Sequence, residues 1–149
     1  MEEIARFLHE HPPFSLLTFE QVQSIAAHVQ IEYFLAETNI LTHNAKPSAF
    51  LYIIRRGSVD TLRETEDGVQ HIDTYGEGEI FGHISILRRR PPMVTVRTRE
   101  EVLAYLLPAR VFARLCEEHP ALDQFFSSST TDRLNRALQT HGTTPGESE

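Results

Sequence analysis

The spacing of apolar residues changes twice along this chain of 149 residues. Over residues 1–30 it is helical: Ile4, Phe7 and Leu8 share a face, Pro12-Pro13 ends that turn, and Val22, Ile25, Ala26 and Val29 form a second stripe. Thr18 stands three residues before Gln21, the spacing of a capping box, and marks the start of the second helix. From about Ile31 the period shortens. The runs IEYFL, AFLYII, SVDTL, VQHIDTY and VLAYLL are rich in β-branched and aromatic residues and read as short strands. Turn chemistry separates them at Asn44-Ala45-Lys46-Pro47, Arg56-Gly57, Asp67-Gly68 and Gly76-Glu77-Gly78, with Asp67-Gly68 suited to a tight hairpin. Past Pro108 the helical period returns at Val111, Phe112, Leu115 and Cys116, then at Leu122, Phe125 and Phe126, and once more at Leu134, Ala137 and Leu138. The tail HGTTPGESE is polar and aperiodic, which reads as disorder or a linker.

These periods divide the chain into a helical segment at 1–30, a strand-rich middle at 31–107, helices at 108–140 and a tail at 141–149. Strands recurring at roughly 8 to 12 residues favour a sandwich or barrel over a parallel sheet. The predicted fold class is mainly β with flanking helices: an antiparallel β-roll or jelly roll with N-terminal helices and a C-terminal helix. A hydrophobic fraction of 40% is enough to fill one core at this length.

Composition narrows the chemistry. No run approaches the roughly 18 apolar residues of a membrane span, and the start MEEIARFLHEH has neither a basic nor a long apolar region, so the expectation is a cytoplasmic protein without a membrane partner. The net charge of −7 argues against direct DNA binding, although the basic residues are arginines apart from Lys46. Cys116, the single cysteine, falls on a helical stripe and reads as a buried structural thiol. The histidines, among them His9, His11, His43, His71 and His83, are scattered, and the compact strand motif of metal-binding cupins is absent, so no metal is expected. Without a nucleophile-elbow serine, a Walker loop or an interpretable carboxylate pair, neither catalysis nor a cofactor is expected.

The candidate chemistry lies in FGHISILRRRPPMVTV, Phe81 to Val96. A glycine-led turn into a short helix offers unsatisfied N–H groups to an anion, and Gly82 would let the backbone approach it without a Cβ in the way. Arg88, Arg89 and Arg90 follow. Three consecutive side chains cannot all face one pocket, and this spacing predicts one at most turned inward. The competing reading is a solvated run of positive charge, which suits the C-terminal end of a helix dipole.

Leu51-Tyr52-Ile53-Ile54-Arg55-Arg56-Gly57-Ser58-Val59 followed by Gly76-Glu77-Gly78-Glu79-Ile80-Phe81-Gly82 resembles the cyclic nucleotide-binding domain family, over roughly residues 4–126. The resemblance implies a β-roll with a phosphate-binding cassette at residues 81–96. It implies a nucleotide or other small anionic ligand near Phe81, Gly82, His83, Ile84, Ser85, Arg88, Arg89, Arg90, Met93, Val94 and Thr95. The family's pattern resembles F-G-E-L-A-L, a few variable residues, then P-R-A-A-T-V. Phe81, Gly82, Pro91, Thr95 and Val96 agree with it. The glutamate that accepts the ribose hydroxyl is replaced by His83, and the arginine that pairs with the cyclic phosphate by Pro92, which has no donor. Loss of one charge-assisted bond of about 1.5 to 3 kcal/mol weakens binding about 10 to 150-fold.

The implied function is a regulatory ligand-sensing module with a degenerate cassette that does not bind cyclic AMP or cyclic GMP in the usual mode. Ligand closure on the Gly82 to Ile86 amides would reposition the helix that begins near Pro108. The alternative is a pseudo-sensor, an interaction or homodimerisation module using the apolar faces of its terminal helices. Pro12-Pro13-Phe14, Tyr33-Phe34, Tyr105-Leu106-Leu107-Pro108, Pro120-Ala121-Leu122 and Phe125-Phe126 are similar to a bacterial signalling group. In that group a divergent domain of this kind precedes paired CBS domains and a nucleotidyltransferase-like domain, which would then be downstream partners. A transcription factor of the catabolite-activator type needs a helix-turn-helix after the roll, and beyond Phe126 there is pattern for one helix only.

Overall fold

The capping box forms. Gln21 N–H donates to Thr18 Oγ1 at 3.1 Å and Thr18 N–H donates to Gln21 Oε1 at 2.9 Å, satisfying two N–H groups that a helix start leaves open. It begins α2 (Phe19–Ala26), which packs against α1 (Glu2–His9) beyond a 3₁₀ turn at Phe14–Leu16. The chain is described by a computed structural model over residues 2–129. The stripe at Leu134, Ala137 and Leu138 and the tail HGTTPGESE lie outside the described residues.

Among the described residues eight strands follow: β1 (Gln30–Phe34), β2 (Asn39–Leu41), β3 (Phe50–Arg56), β4 (Val59–Thr65), β5 (Gly68–Tyr75), β6 (Ile80–Phe81), β7 (Thr95–Thr98) and β8 (Val102–Pro108). They make two antiparallel sheets, one in the order β1-β8-β3-β6 and the other β2-β7-β4-β5. Between β6 and β7 lies α3 (His83–Arg88). After β8 come α4 (Ala109–Glu118) and α5, helical over 120–129. This is an antiparallel β-sandwich rolled on itself with helices at both ends, the fold class that the periodicity predicts.

The apolar residues divide between two cores that share a sheet. Leu51 and Ile53 of β3 and Tyr105 and Leu107 of β8 face Phe7, Leu8, Val22, Ile25, Phe112, Leu122 and Phe126 of the helices. Tyr52 and Ile54, with Ala104 and Leu106, face the interior between the sheets, where they meet Val59, Tyr75, Phe81 and Val96. Strands covered on both faces have no polar side to show, which is why AFLYII and VLAYLL lack alternation. Each fully buried side chain of this kind contributes roughly 1.5 to 3 kcal/mol. Among the described residues the apolar faces of the helices are therefore turned into the molecule. The exposed large apolar side chains among the described residues are Ile31, Tyr33 and Leu35 on and beside β1, with Leu16 and Val69.

Two turns show why particular residues occupy them. The hairpin between β4 and β5 pairs Thr65 with Gly68, so its loop is Glu66-Asp67, one residue earlier than the Asp67-Gly68 expected. In the turn at 76–79, Glu79 N–H returns to the Gly76 carbonyl at 3.0 Å and Gly78 takes φ +86°. A Cβ on Gly78 would lie 2.3 Å from the His11 ring, so glycine lets the segment after α1 rest on the sheet. Arg55 closes the same junction: its guanidinium sits 4.6 Å from the Phe7 ring centre, 3.7 Å from Glu77 and 4.0 Å from Glu3. Among the described residues no helix is long and apolar enough to cross a membrane.

Candidate ligand cavity and cassette

Phe81 closes β6, and its ring stacks on Tyr52 of β3 with centres 4.9 Å apart. Gly82 then takes φ +96° and α3 begins. A Cβ there would lie 2.8 Å from the Phe50 carbonyl oxygen. The glycine is needed by the chain's own packing on β3, a different reason from the ligand approach expected of it.

Six residues make a helix too short to persist alone, so α3 depends on its attachments. Ser85 is buried, and its hydroxyl accepts the Ser48 N–H at 2.9 Å while donating to the Arg90 carbonyl. Arg90 N–H returns to the Ser85 carbonyl at 3.1 Å and Arg89 N–H to that of Ile86 at 3.2 Å, the bond pair of a Schellman closure. Arg89 fills the left-handed position, φ 55° and ψ 45°, where glycine is commonest. The segment between β2 and β3 is stitched to the far side of the cassette. His43 N–H donates to Thr95 Oγ1 and Asn44 N–H to the Pro92 carbonyl, both at 3.1 Å.

A cavity of about 660 Å³ opens between the cassette and the β4–β5 hairpin. All the candidate residues read from the sequence line it except Arg89 and Thr95. Thr95 is buried with its hydroxyl holding His43, and Arg89 sits at the reversal of the chain. Two of the three arginines line the cavity from its exposed edge. A left-handed residue between them leaves Arg88 and Arg90 on the same wall. Pro92 also lines the cavity and is buried.

His83 is wholly buried. Its Nε2 lies 3.2 Å from Ser129 Oγ on α5, and its ring is 5.5 Å from that of Phe126. The cassette thus reaches α5, and α3 packs against α4 as well. Other histidines serve backbone or surface bonds: His9 reaches the Leu17 carbonyl, His11 that of Phe7, and His71 the side chains of Asp60 and Thr74. Among the described residues no three potential metal-ligating side chains converge.

Sequence reading missed the opposite wall. Thr61 and Arg63 of β4 and Asp73 and Tyr75 of β5 line the cavity, each pair two residues apart on a strand. Thr61 pairs with Asp73 across the hairpin, its Oγ1 accepting the Asp73 N–H at 2.9 Å. The available signal was alternation: an arginine and an aspartate on the face that also carries Thr61 and Tyr75.

The model of the family described as the cyclic nucleotide-binding domain matches residues 31–119. The chain is similar to the Potassium channel AKT1 of Oryza sativa subsp. indica, 30% identical over 101 residues, which cover 64% of this chain and 11% of the channel. Among solved structures, it superposes on the regulatory subunit of a cAMP-independent protein kinase A from Trypanosoma cruzi bound to guanosine. There the TM-score is 0.78 at 21% identity, over 94% of this chain and 50% of that one. The sensor domain of the transcriptional regulator DNR from Pseudomonas aeruginosa gives a TM-score of 0.76 at 16% identity, over 97% of each chain. The chain therefore spans about half of the kinase subunit and about a tenth of the channel. With the roll, the cassette between β6 and β7 and a family match across most of the strands, the chain belongs to the cyclic nucleotide-binding domain family.

Proposed function

We propose that the chain is a regulatory sensing domain whose cavity takes a nucleotide or another small anionic ligand and does not hold cyclic AMP or cyclic GMP in the usual mode. The observation that carries this reading is Pro92. It occupies the place of the family's phosphate-pairing arginine, is buried in the cavity wall, and has its carbonyl engaged by Asn44 N–H. No guanidinium fork is available at that point. His83, in the place of the ribose-binding glutamate, is occupied with Ser129 on α5. The Trypanosoma cruzi subunit, cAMP-independent and bound to guanosine, offers a precedent for a nucleoside ligand on this fold.

The output runs through α5. Closing the cassette on a ligand would move α3, and with it His83 and the Phe126 and Ser129 positions it touches. A ligand shifts such an equilibrium only by its differential affinity for the two positions. The reading assigns no catalytic step and no direct DNA contact to this chain. The tie to bacterial proteins with CBS and nucleotidyltransferase-like domains rests on the sequence resemblance alone.

A thermal-shift screen across cyclic mononucleotides, cyclic dinucleotides, linear nucleotides and nucleosides tests the reading. Stabilisation by one of these classes, with cyclic AMP weak, is the expected result; nanomolar cyclic AMP binding would overturn it. Pro92→Arg supplies the missing fork and is expected to tighten cyclic AMP binding about 10-fold or more, measured by calorimetric titration.

A second reading, an interaction module without a small ligand, draws on one observation. Ile31 and Tyr33 on β1, with Leu35 just beyond it, are 58%, 55% and 65% exposed, and among the described residues β1 is an edge strand paired only to β8. Silence across the screen, with a sedimentation coefficient that falls in Tyr33→Lys, favours it.

A further inference from the structure

The chain carries 21 acidic and 14 basic residues, yet the cavity wall has the opposite balance. Among the described residues it presents Arg63, Arg88 and Arg90 against one carboxylate, Asp73, whose Oδ2 lies 3.4 Å from the Tyr75 hydroxyl that donates to it. Arg6, Arg55, Arg97 and Arg99 all have side-chain partners. The guanidinium groups of Arg88 and Arg90 have neither a hydrogen bond nor an ion pair among the described residues, although both line the cavity and both are exposed. They therefore stand at its open edge. Their placement is built in: the bonds of Ser85 to Arg90 and the left-handed Arg89 fix where the chain turns. Deeper in, the wall is largely apolar, with Leu41, Ile72, Met93, Val94 and Val96.

We infer that Arg88 and Arg90 form the anion seat of this cavity, in place of the guanidinium that Pro92 does not supply. The ligand class is a small amphiphilic anion, with an apolar or aromatic body inside the roll and a phosphate, sulfonate or carboxylate group at the rim. Two arginines lining one wall can bring paired donors to such a group, a demand that suits arginine over lysine. A terminal phosphate on a linear nucleotide satisfies this better than a cyclic phosphate, which carries one charge and is tied back to its sugar. The inference rests on the sensing reading for its context and deepens it by moving the anion from the centre of the cassette to its exit.

Fluorescence titration with anilinonaphthalene sulfonate, and with the neutral N-phenylnaphthylamine as its uncharged counterpart, tests the seat. In Arg88→Ala/Arg90→Ala the sulfonate is expected to bind about tenfold or more weakly while the neutral probe is unaffected. Arg89→Gly, which removes the arginine outside the wall, is expected to bind both as the parent does. Equal losses in Arg89→Gly, an unaltered sulfonate affinity in the double variant, or no saturable sulfonate binding to the parent would each overturn the seat. Running AMP against adenosine on the same variants distinguishes a nucleotide phosphate from other anions. Silence of all nucleotides alongside arginine-dependent sulfonate binding removes the nucleotide reading and leaves the seat. Nucleotide stabilisation that is equal in the parent and the double variant removes the seat and leaves the sensor.

Discussion

Arg89 holds its position at a cost. An L-residue in the left-handed region costs roughly 1 to 2 kcal/mol, and nothing in the cavity wall uses its side chain. Arg89→Gly relieves that strain, part of which is offset by the greater freedom of glycine in the unfolded chain. A net gain of about 1 kcal/mol is expected, raising the melting midpoint by about 3 °C in a calorimetric scan. Cys116 shows the opposite situation, a residue perturbed by ordinary packing. Burial pushes its thiol from 9.0 to about 11, with Asp123 and Glu117 adding to the rise. The neutral thiol is the form the fold prefers, so its contribution is complete below pH 9.0 and is lost as pH rises through about 11. At pH 8 its alkylation by iodoacetamide is expected to be about 100-fold slower than in the unfolded chain. The helical stripe made the buried thiol readable. No pattern in the sequence separates Arg89 from its neighbours, because the distinction arises where the helix ends.

At the scale of elements, attachment decides what propensity leaves open. Within α3, Ser85 satisfies the Ser48 N–H and the Arg90 carbonyl with one hydroxyl. Ser85→Ala strands both, and a loss of about 1 to 3 kcal/mol is expected in urea denaturation, with the sulfonate seat loosened in parallel. The same contrast governs what could be read in advance. The four residues from Thr18 to Gln21 carry their own instruction, and the long runs of β3 and β8 were evident because both faces are buried. Strands β2, β6 and β7, three, two and four residues long, give too few positions for a period to emerge and are held by their neighbours. The hairpin loop was displaced by one residue because Gly68 serves the first pair of β5 instead of the turn itself.

For the whole molecule, the cavity exists only once the roll closes. Arg63 and Asp73 come from the β4–β5 hairpin, so their sharing a cavity with Arg88 and Arg90 depends on the order β2-β7-β4-β5 and not on any local pattern. That His83 and Pro92 stand where the resemblance expects a glutamate and an arginine is readable from the sequence, whereas the engagement of His83 with α5 required the helix to be in place. The two cores meet at β3 and β8, and their division gives the molecule a kinetic signature. Amide protons of Phe50–Arg56 and Val102–Leu107 can reach solvent only when the interior and the helical layer both open, so deuterium is expected to enter these strands last. Mass spectrometry of peptic fragments would place them at the slow end. Early uptake in both strands would mean that the two layers separate without global unfolding, turning the shared sheet from a single lock into a seam.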